Sequence, residues 1–271
     1  MSAILRLLKS TFVSTEVDQQ VDKIKKPVGS FGYDAWGYNT DFLKVGLGMF
    51  QFVYDDYFRV KTYGIDNVPA DGPVLLIPNH SGQLPLDGLL IGVAMAKREH
   101  HPRAARAMIE RFFPTVPYLG NLLNAVGAVI GDPSNCARML DNNEAVIVFP
   151  EGVRGSGKLY EKRYQLQRFG NGFMHLAIQH NTPIIPVGVV GCEETMPAVY
   201  NIKPLAKALG VPYIPVTTPL PLPAKVSLHF GKPMYFDQAE TEEEVTAHTE
   251  KVKDAIRILI NEGLAQRESV Y

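Results

Sequence analysis

Between Asp71 and Val190 the chain alternates short apolar runs with longer segments of helical period. The runs are VLLIP (74–78), GAVIG (127–131), AVIVFP (145–150) and PIIPVGVV (183–190), and residues 86–97, 134–142 and 171–180 read as helices between them. Continuous rather than alternating hydrophobicity marks strands covered on both faces. The expectation is therefore an α/β fold with a mostly parallel central sheet flanked by helices. Near the C-terminus, Thr241 and Glu244 have capping-box spacing, and Val245, Val252, Ile256, Leu259 and Ile260 fall on one side of a helix.

Residues 1–60 follow a different pattern, that of an N-terminal helical appendage: a short amphipathic piece, a polar run through Lys26 and Pro27, and the aromatic stretch FLKVGLGMFQFVYDDYF. Two readings stay open for that stretch. It lies on a membrane surface with Phe50, Phe52, Tyr54 and Tyr57 at the headgroup boundary, or it packs on the α/β domain, expected over 61–271. The Pro-rich segment YIPVTTPLPLPAK (213–225) reads as an extended connector, and no internal repeat is present.

Composition narrows the classes. Lys+Arg 27 against Asp+Glu 28 gives a net charge of -1, which lacks the basic footprint of a nucleic-acid binder. Two cysteines, Cys136 and Cys192, are too few and too far apart for a disulfide framework or a zinc ribbon. The first twenty residues lack a long apolar core and a small-residue cleavage site, so no secretion is expected, nor glycosylation of the Asn79-His80-Ser81 sequon. No run of 18 apolar residues occurs, which argues against a spanning helix.

Two stretches carry candidate chemistry. In VLLIPNHSGQLPLD a strand runs directly into His80, and Asp87 opens the helix that follows, with Gly82 and Pro85 shaping the loop between them. A carboxylate that fixes the imidazole tautomer makes histidine a general base suited to neutral pH, although an aspartate at a helix start also satisfies the helix dipole. In FPEGVRGSGK (149–158) another apolar strand delivers Glu151 and Arg154 into a glycine-bounded turn. Strand ends of an open α/β sheet are where ligands bind.

Gly152 to Lys158 also fits the phosphate-cradling pattern GxxxxGK, but Leu159 stands where a magnesium-ligating hydroxyl is needed. A GxSxG elbow and an HExxH helix are both absent, and His100, His101, His175, His180, His229 and His248 lack metal-ligand spacing. No metal or redox cofactor is implied.

The order NHSGQLPLD, GAVIGDP, FPEGVRG, PIIPVGVVG resembles the glycerolipid acyltransferase superfamily, which includes the lysophosphatidic acid acyltransferases, over roughly residues 55–235. The resemblance implies a glycerol-3-phosphate acyltransferase-like fold and attack of an acceptor hydroxyl on the thioester of acyl-CoA or acyl carrier protein. His80 would be the base and Asp87 its orienting partner. Glu151, Gly152 and Arg154 would belong to the acceptor-binding block, while Pro183, Ile184, Ile185 and Pro186 would shape the acyl side. Backbone amides near Gly82 are candidates for oxyanion stabilisation.

This sequence departs from the pattern twice. Six residues rather than four separate His80 from Asp87, so the loop must bulge, and Pro133 stands where an arginine usually follows GAVIGD, with Arg138 five residues on. Arg154, Lys158, Lys162 or Arg163 would then meet an acceptor phosphate, or the acceptor would be a neutral mono- or diacylglycerol. A catalytically silent lipid-binding relative is the third reading. The resemblance places the chain on the cytoplasmic side of a membrane, peripheral or monotopic.

Overall fold

The computed structural model describes residues 3–24, 29, 32–81, 84–111, 118–211 and 213–271. The N-terminal helices are α1 (Ala3–Phe12), α2 (Thr15–Asp22) and α3 (Thr40–Phe52), the last continuing into a π-helical turn, Val53–Tyr57. Next come β1 (Lys61–Tyr63), β2 (Val74–Pro78), α4 (Leu86–Lys97), β3 (Ala105–Ile109), α5 (Leu119–Ala125), β4 (Val129–Ile130), α6 (Pro133–Asp141) and β5 (Ala145–Ile147). The chain continues through α7 (Val153–Ser156), α8 (Gly172–Gln179), β6 (Ile184–Val190), α9 (Cys192–Thr195), β7 (Tyr200–Asn201) and α10 (Lys203–Leu209). It closes with β8 (Pro215–Val216), β9 (Ser227–Phe230) and α11 (Glu242–Gln266).

Among the described residues, seven strands form one sheet in the order β1-β9-β6-β2-β5-β3-β4. The five strands β6, β2, β5, β3 and β4 run parallel, and β9 pairs antiparallel with β6. Alternate residues of each central strand enter different cores. Leu76, Ile185, Val187 and Val189 meet α2, α3 and α4 on one face, and Leu75, Ile77, Ile184 and Val190 meet α6, α8 and α11 on the other. The continuous apolar runs arise from this double coverage.

Glycine sets the distance between α11 and the sheet. A Cβ on Gly188 would lie 2.7 Å from the Leu259 Cβ and 3.0 Å from the Ile260 backbone nitrogen. The helix therefore packs against bare backbone, and Thr241 caps it by accepting the Glu244 N–H. Val252, Ile256 and Ile260 are buried, and Leu259 is half-buried.

The N-terminal segment shares the main core. Val17, Val21, Tyr38, Tyr54 and Phe58 cluster with Val74, Leu76 and the α4 residues Leu90 and Ile91. Tyr54 is buried with the Lys97 ammonium over its ring, and the half-buried Tyr57 donates to the Pro221 carbonyl at 2.6 Å. Neither tyrosine stands at a free surface, so for these two the packed reading of the stretch holds. Phe50 and Phe52 do, at 37% and 63% exposure, beside exposed Leu7, Phe12 and Met49. Lys26 and Pro27 lie outside the described residues. No helix of the described residues is long and apolar enough to cross a membrane.

Candidate active site

Parallel strands end together, so β2, β5 and β6 deliver His80, Glu151 and Glu193 to one edge of the sheet. The exit of β2 is locked by Asn79, which donates to the Val189 carbonyl (3.1 Å) and accepts the Val189 N–H (2.7 Å), continuing the ladder with a side chain. Asn79 is fully buried, and its amide is committed to that ladder.

One residue on, His80 Nδ1 lies 2.7 Å from Asp87 Oδ2, so the loop does bring the carboxylate back to the ring. Asp87 is fixed from two further sides: Oδ2 accepts the Ser81 N–H and Oδ1 accepts the Gly88 N–H, each at 2.8 Å. It starts α4 and holds the imidazole at once, uniting the two sequence readings. With Nδ1 bonded to the carboxylate, Nε2 is the nitrogen left with its lone pair free, and it bonds to no described residue. Phe149 stacks on the ring at 4.2 Å between centroids, and the His80 side chain is 13% exposed.

Burial, the strongest influence on His80, pushes its pKa down, and Lys158 pushes the same way. The Asp87 charge and hydrogen bond, with Glu151 behind, outweigh both and leave it above the ordinary imidazole value.

Glu151 is bonded to the histidine loop. It is 1% exposed, with Oε1 accepting the His80 N–H at 2.8 Å and Oε2 accepting the Gln167 N–H at 2.7 Å. Both oxygens hold backbone, so Glu151 positions the histidine loop. Gly152, at φ +53, turns the chain after it, and Gly155 brings α7 against the site. A Cβ on Gly155 would lie 2.7 Å from the Cβ atoms of both His80 and Glu151. Arg154 is exposed on α7, its guanidinium 3.3 Å from the Arg168 carbonyl, and Lys162 and Arg163 are exposed nearby in sequence.

Lys158 points inward. Its ammonium lies 3.1 Å from Glu193 and 3.7 Å from Glu151, with the side chain 4% exposed. An inward lysine bonded to two carboxylates is not presented to a polyphosphate, which removes the basis of the GxxxxGK reading. Glu193 also accepts the Tyr164 N–H, and its carboxyl is pushed up to about 7, chiefly by burial. Tyr164 donates to Glu194 and accepts the Gly191 N–H, while Arg267 from the chain end pairs with Glu194 at 2.8 Å.

The block Pro183 to Pro186 lies elsewhere. Ile184 pairs with Leu75 in register, five residues of strand back from His80, about 16 Å at ~3.3 Å per residue. All four residues are buried, with Ile184 and Ile185 in opposite cores, and Pro186 pairs with Ile77, three residues before His80. The parallel register puts Gly191 to Thr195 beyond the strand end on the histidine edge. Gly82, proposed as an amide donor, lies outside the described residues.

Glu193, Glu194 and Tyr164 were missed in the sequence, as was Arg111, which follows β3 at the same edge and pairs with Asp132 at 3.2 Å. CEET directly after a buried strand was the available signal, since charged residues in that position mark a site edge.

The Acyltransferase family model matches residues 59–190, a range that holds both the histidine loop and the FPEGVRG turn. An uncharacterized protein of Mycobacterium tuberculosis is 34% identical over 90% of this chain and 72% of its own length. The human "DGAT1/2-independent enzyme synthesizing storage lipids" is 28% identical over 74% of this chain and 60% of that protein. Among solved structures, the 1-acyl-sn-glycerophosphate (LPA) acyltransferase PlsC of Thermotoga maritima superposes with a TM-score of 0.55 at 20% identity. That likeness covers 84% of this chain and 80% of that one, and it shows the shared fold.

Proposed function

We propose that this chain, which belongs to the Acyltransferase family and is an acyltransferase, moves a fatty acyl group from acyl-CoA or acyl carrier protein to a glycerolipid hydroxyl, with His80 as general base. The observation that carries this reading is the His80–Asp87 pair, oriented through Nδ1 with Nε2 left open at the C-terminal edge of the sheet. The acceptor hydroxyl gives its proton to Nε2 as its oxygen attacks the thioester carbon. The tetrahedral intermediate then collapses, the C–S bond breaks, and the imidazolium returns its proton to the leaving thiolate. Asp87 steadies the imidazolium between the two transfers. A thioester is already activated, so positioning and proton removal are the main tasks of the protein.

Two acceptor classes fit. A phosphate-bearing lysophospholipid would meet Arg154, exposed on α7 next to the histidine-packing Gly155. A neutral mono- or diacylglycerol is the second reading, favoured by Pro133 at the usual arginine position, by the inward turn of Lys158, and by the storage-lipid name of the 28% identical relatives. The exposed group Leu7, Phe12, Met49, Phe50 and Phe52 supports a peripheral seat on a membrane.

The test is a purified-protein assay with labelled acyl-CoA and acyl carrier protein thioesters against lysophosphatidate, other lysophospholipids, monoacylglycerol and diacylglycerol. Ester formation on at least one acceptor, lost in His80→Ala, is expected. Thioester binding with no ester on any acceptor would replace the enzyme reading with a silent lipid-binding one.

A further inference from the structure

After α9 the chain leaves the sheet for a long excursion, residues 196–224, before returning through buried Ala224 to β9. The excursion is fastened to the active-site edge. Tyr160 N–H donates to the Ala198 carbonyl at 2.8 Å, and the Asn201 amide donates to the Gly157 carbonyl at 2.9 Å. The Tyr213 ring abuts Gly157, where a Cβ would sit 3.0 Å from it. Gly157 ends α7, the helix that packs on His80.

Its outer surface is apolar where a soluble loop would be polar. In α10 the inward residue is Ala206, while Pro204, Leu205, Ala208 and Leu209 form an exposed apolar arc at helical spacing, bordered by exposed Lys203 and Lys207. On the β7–β8 hairpin, Tyr200 and Val216 stand opposite each other in register, and both are exposed. No Asp or Glu occurs between Glu194 and Asp237, in a chain that has 28 of them.

We propose that the 196–224 excursion is a lipid-docking element that seats the mouth of the active site on an anionic bilayer. Leucines enter the acyl boundary, the lysine stems carry their charges to the headgroups, and the excursion itself carries no carboxylate to oppose the approach. A second copy of the chain fits this face less well. A two-fold contact would bring Lys203 and Lys207 against their own copies with no acid in the excursion to receive them. The proposal rests on the reading that the acceptor is a membrane glycerolipid. It adds a second contact, beside the site, to the N-terminal apolar group.

The test uses the full chain with two paired variants, Leu205→Glu/Leu209→Glu and Lys203→Glu/Lys207→Glu. All four positions are exposed, so folding should persist, and an unchanged circular-dichroism melt checks it. Co-sedimentation is measured with vesicles of phosphatidylcholine alone and with phosphatidylglycerol added, and turnover is measured with the acceptor in those vesicles or in detergent micelles. Each variant should bind anionic vesicles roughly tenfold or more weakly and lose vesicle turnover while keeping micelle turnover.

Binding equal to that of the unsubstituted chain in both variants would overturn the proposal. So would an unsubstituted chain that ignores vesicles, or one that dimerises through this face and becomes monomeric in the leucine variant. Absence of turnover in both vesicles and micelles would instead contradict the acyltransfer reading, and the vesicle-binding comparison would stand by itself.

Discussion

The two ends of the central sheet both hold buried charge, and they use it differently. At the N-terminal end, Arg106 of β3 is fully buried, bonded to Asp34, 3.4 Å from Glu144, and flanked by the rings of Trp36 and Tyr38. Its donors Nε and Nη1 have no hydrogen-bond partner among the described residues. At the C-terminal end, His80 is anchored through its backbone N–H, through Nδ1 and through the Phe149 ring, and Nε2, which bonds to no described residue, belongs to a side chain that retains some exposure. Buried charge alone therefore does not mark a site. What marks it is a titratable group held from every side but one. Arg106 stitches the N-terminal segment to the sheet through Asp34, while His80 is held ready for a proton that is not yet there.

Substitutions at the two ends should separate those roles. His80→Ala is expected to lower kcat/KM by about 10²–10⁴ with a smaller loss of stability than Arg106→Met, since buried Asp87 loses the imidazole but keeps the Ser81 and Gly88 N–H bonds. Arg106→Met should do the converse. It leaves Asp34 and Glu144 without their buried cation, costs roughly 3–5 kcal/mol in urea unfolding, and spares the kcat of the molecules that remain folded. If Arg106→Met instead abolished turnover at full stability, the division between the ends would be wrong.

Gly155→Ala probes the boundary between scaffold and chemistry. Its new methyl would meet His80 and Glu151 at 2.7 Å and displace the imidazole, so turnover should fall about tenfold to a hundredfold in steady-state assays. The smallest effect belongs to Glu193. A carboxyl whose folded pKa is about 7 against an ordinary 4.5 stabilises the fold in its protonated form. That contribution is complete below about 4.5 and is lost as pH rises through 7. Glu193→Gln removes the titration, so its melting temperature should change less across that window than that of the unsubstituted protein.

The same contrast explains what was legible beforehand. The strands VLLIP and PIIPVGVV and the helix at 86–97 follow directly from their patterns, because double burial leaves an uninterrupted apolar signature. β3, ARAMI, does not, because Arg106 interrupts that signature while lying fully buried inside it. β1 and β9 are short, and their Lys61, Ser227 and His229 dilute the apolar signal.

At the site, a strand running into His80 and an aspartate in the first turn of the next helix were readable as a pair. The partners of Lys158 were not, since GVRGSGK looks the same whether its lysine faces a phosphate or two buried carboxylates, one of them Glu193, 35 residues away. Pro183 to Pro186 were read as lining because a motif has no depth. Register against β2 spreads them along the strand, from Ile184 opposite Leu75 to Pro186 opposite Ile77.

The most direct test of the base assignment is the pH dependence of kcat/KM for the unsubstituted protein and Asp87→Asn. The imidazole must be neutral to accept the hydroxyl proton, so rate falls as pH drops through its pKa, which Asp87 and Glu151 hold above the ordinary value. Removing the Asp87 charge leaves burial to push that pKa down. The acid limb should therefore move to lower pH in Asp87→Asn, with a reduced plateau. An acid limb at the same pH in both proteins would contradict the assignment of His80, oriented by Asp87, as the base.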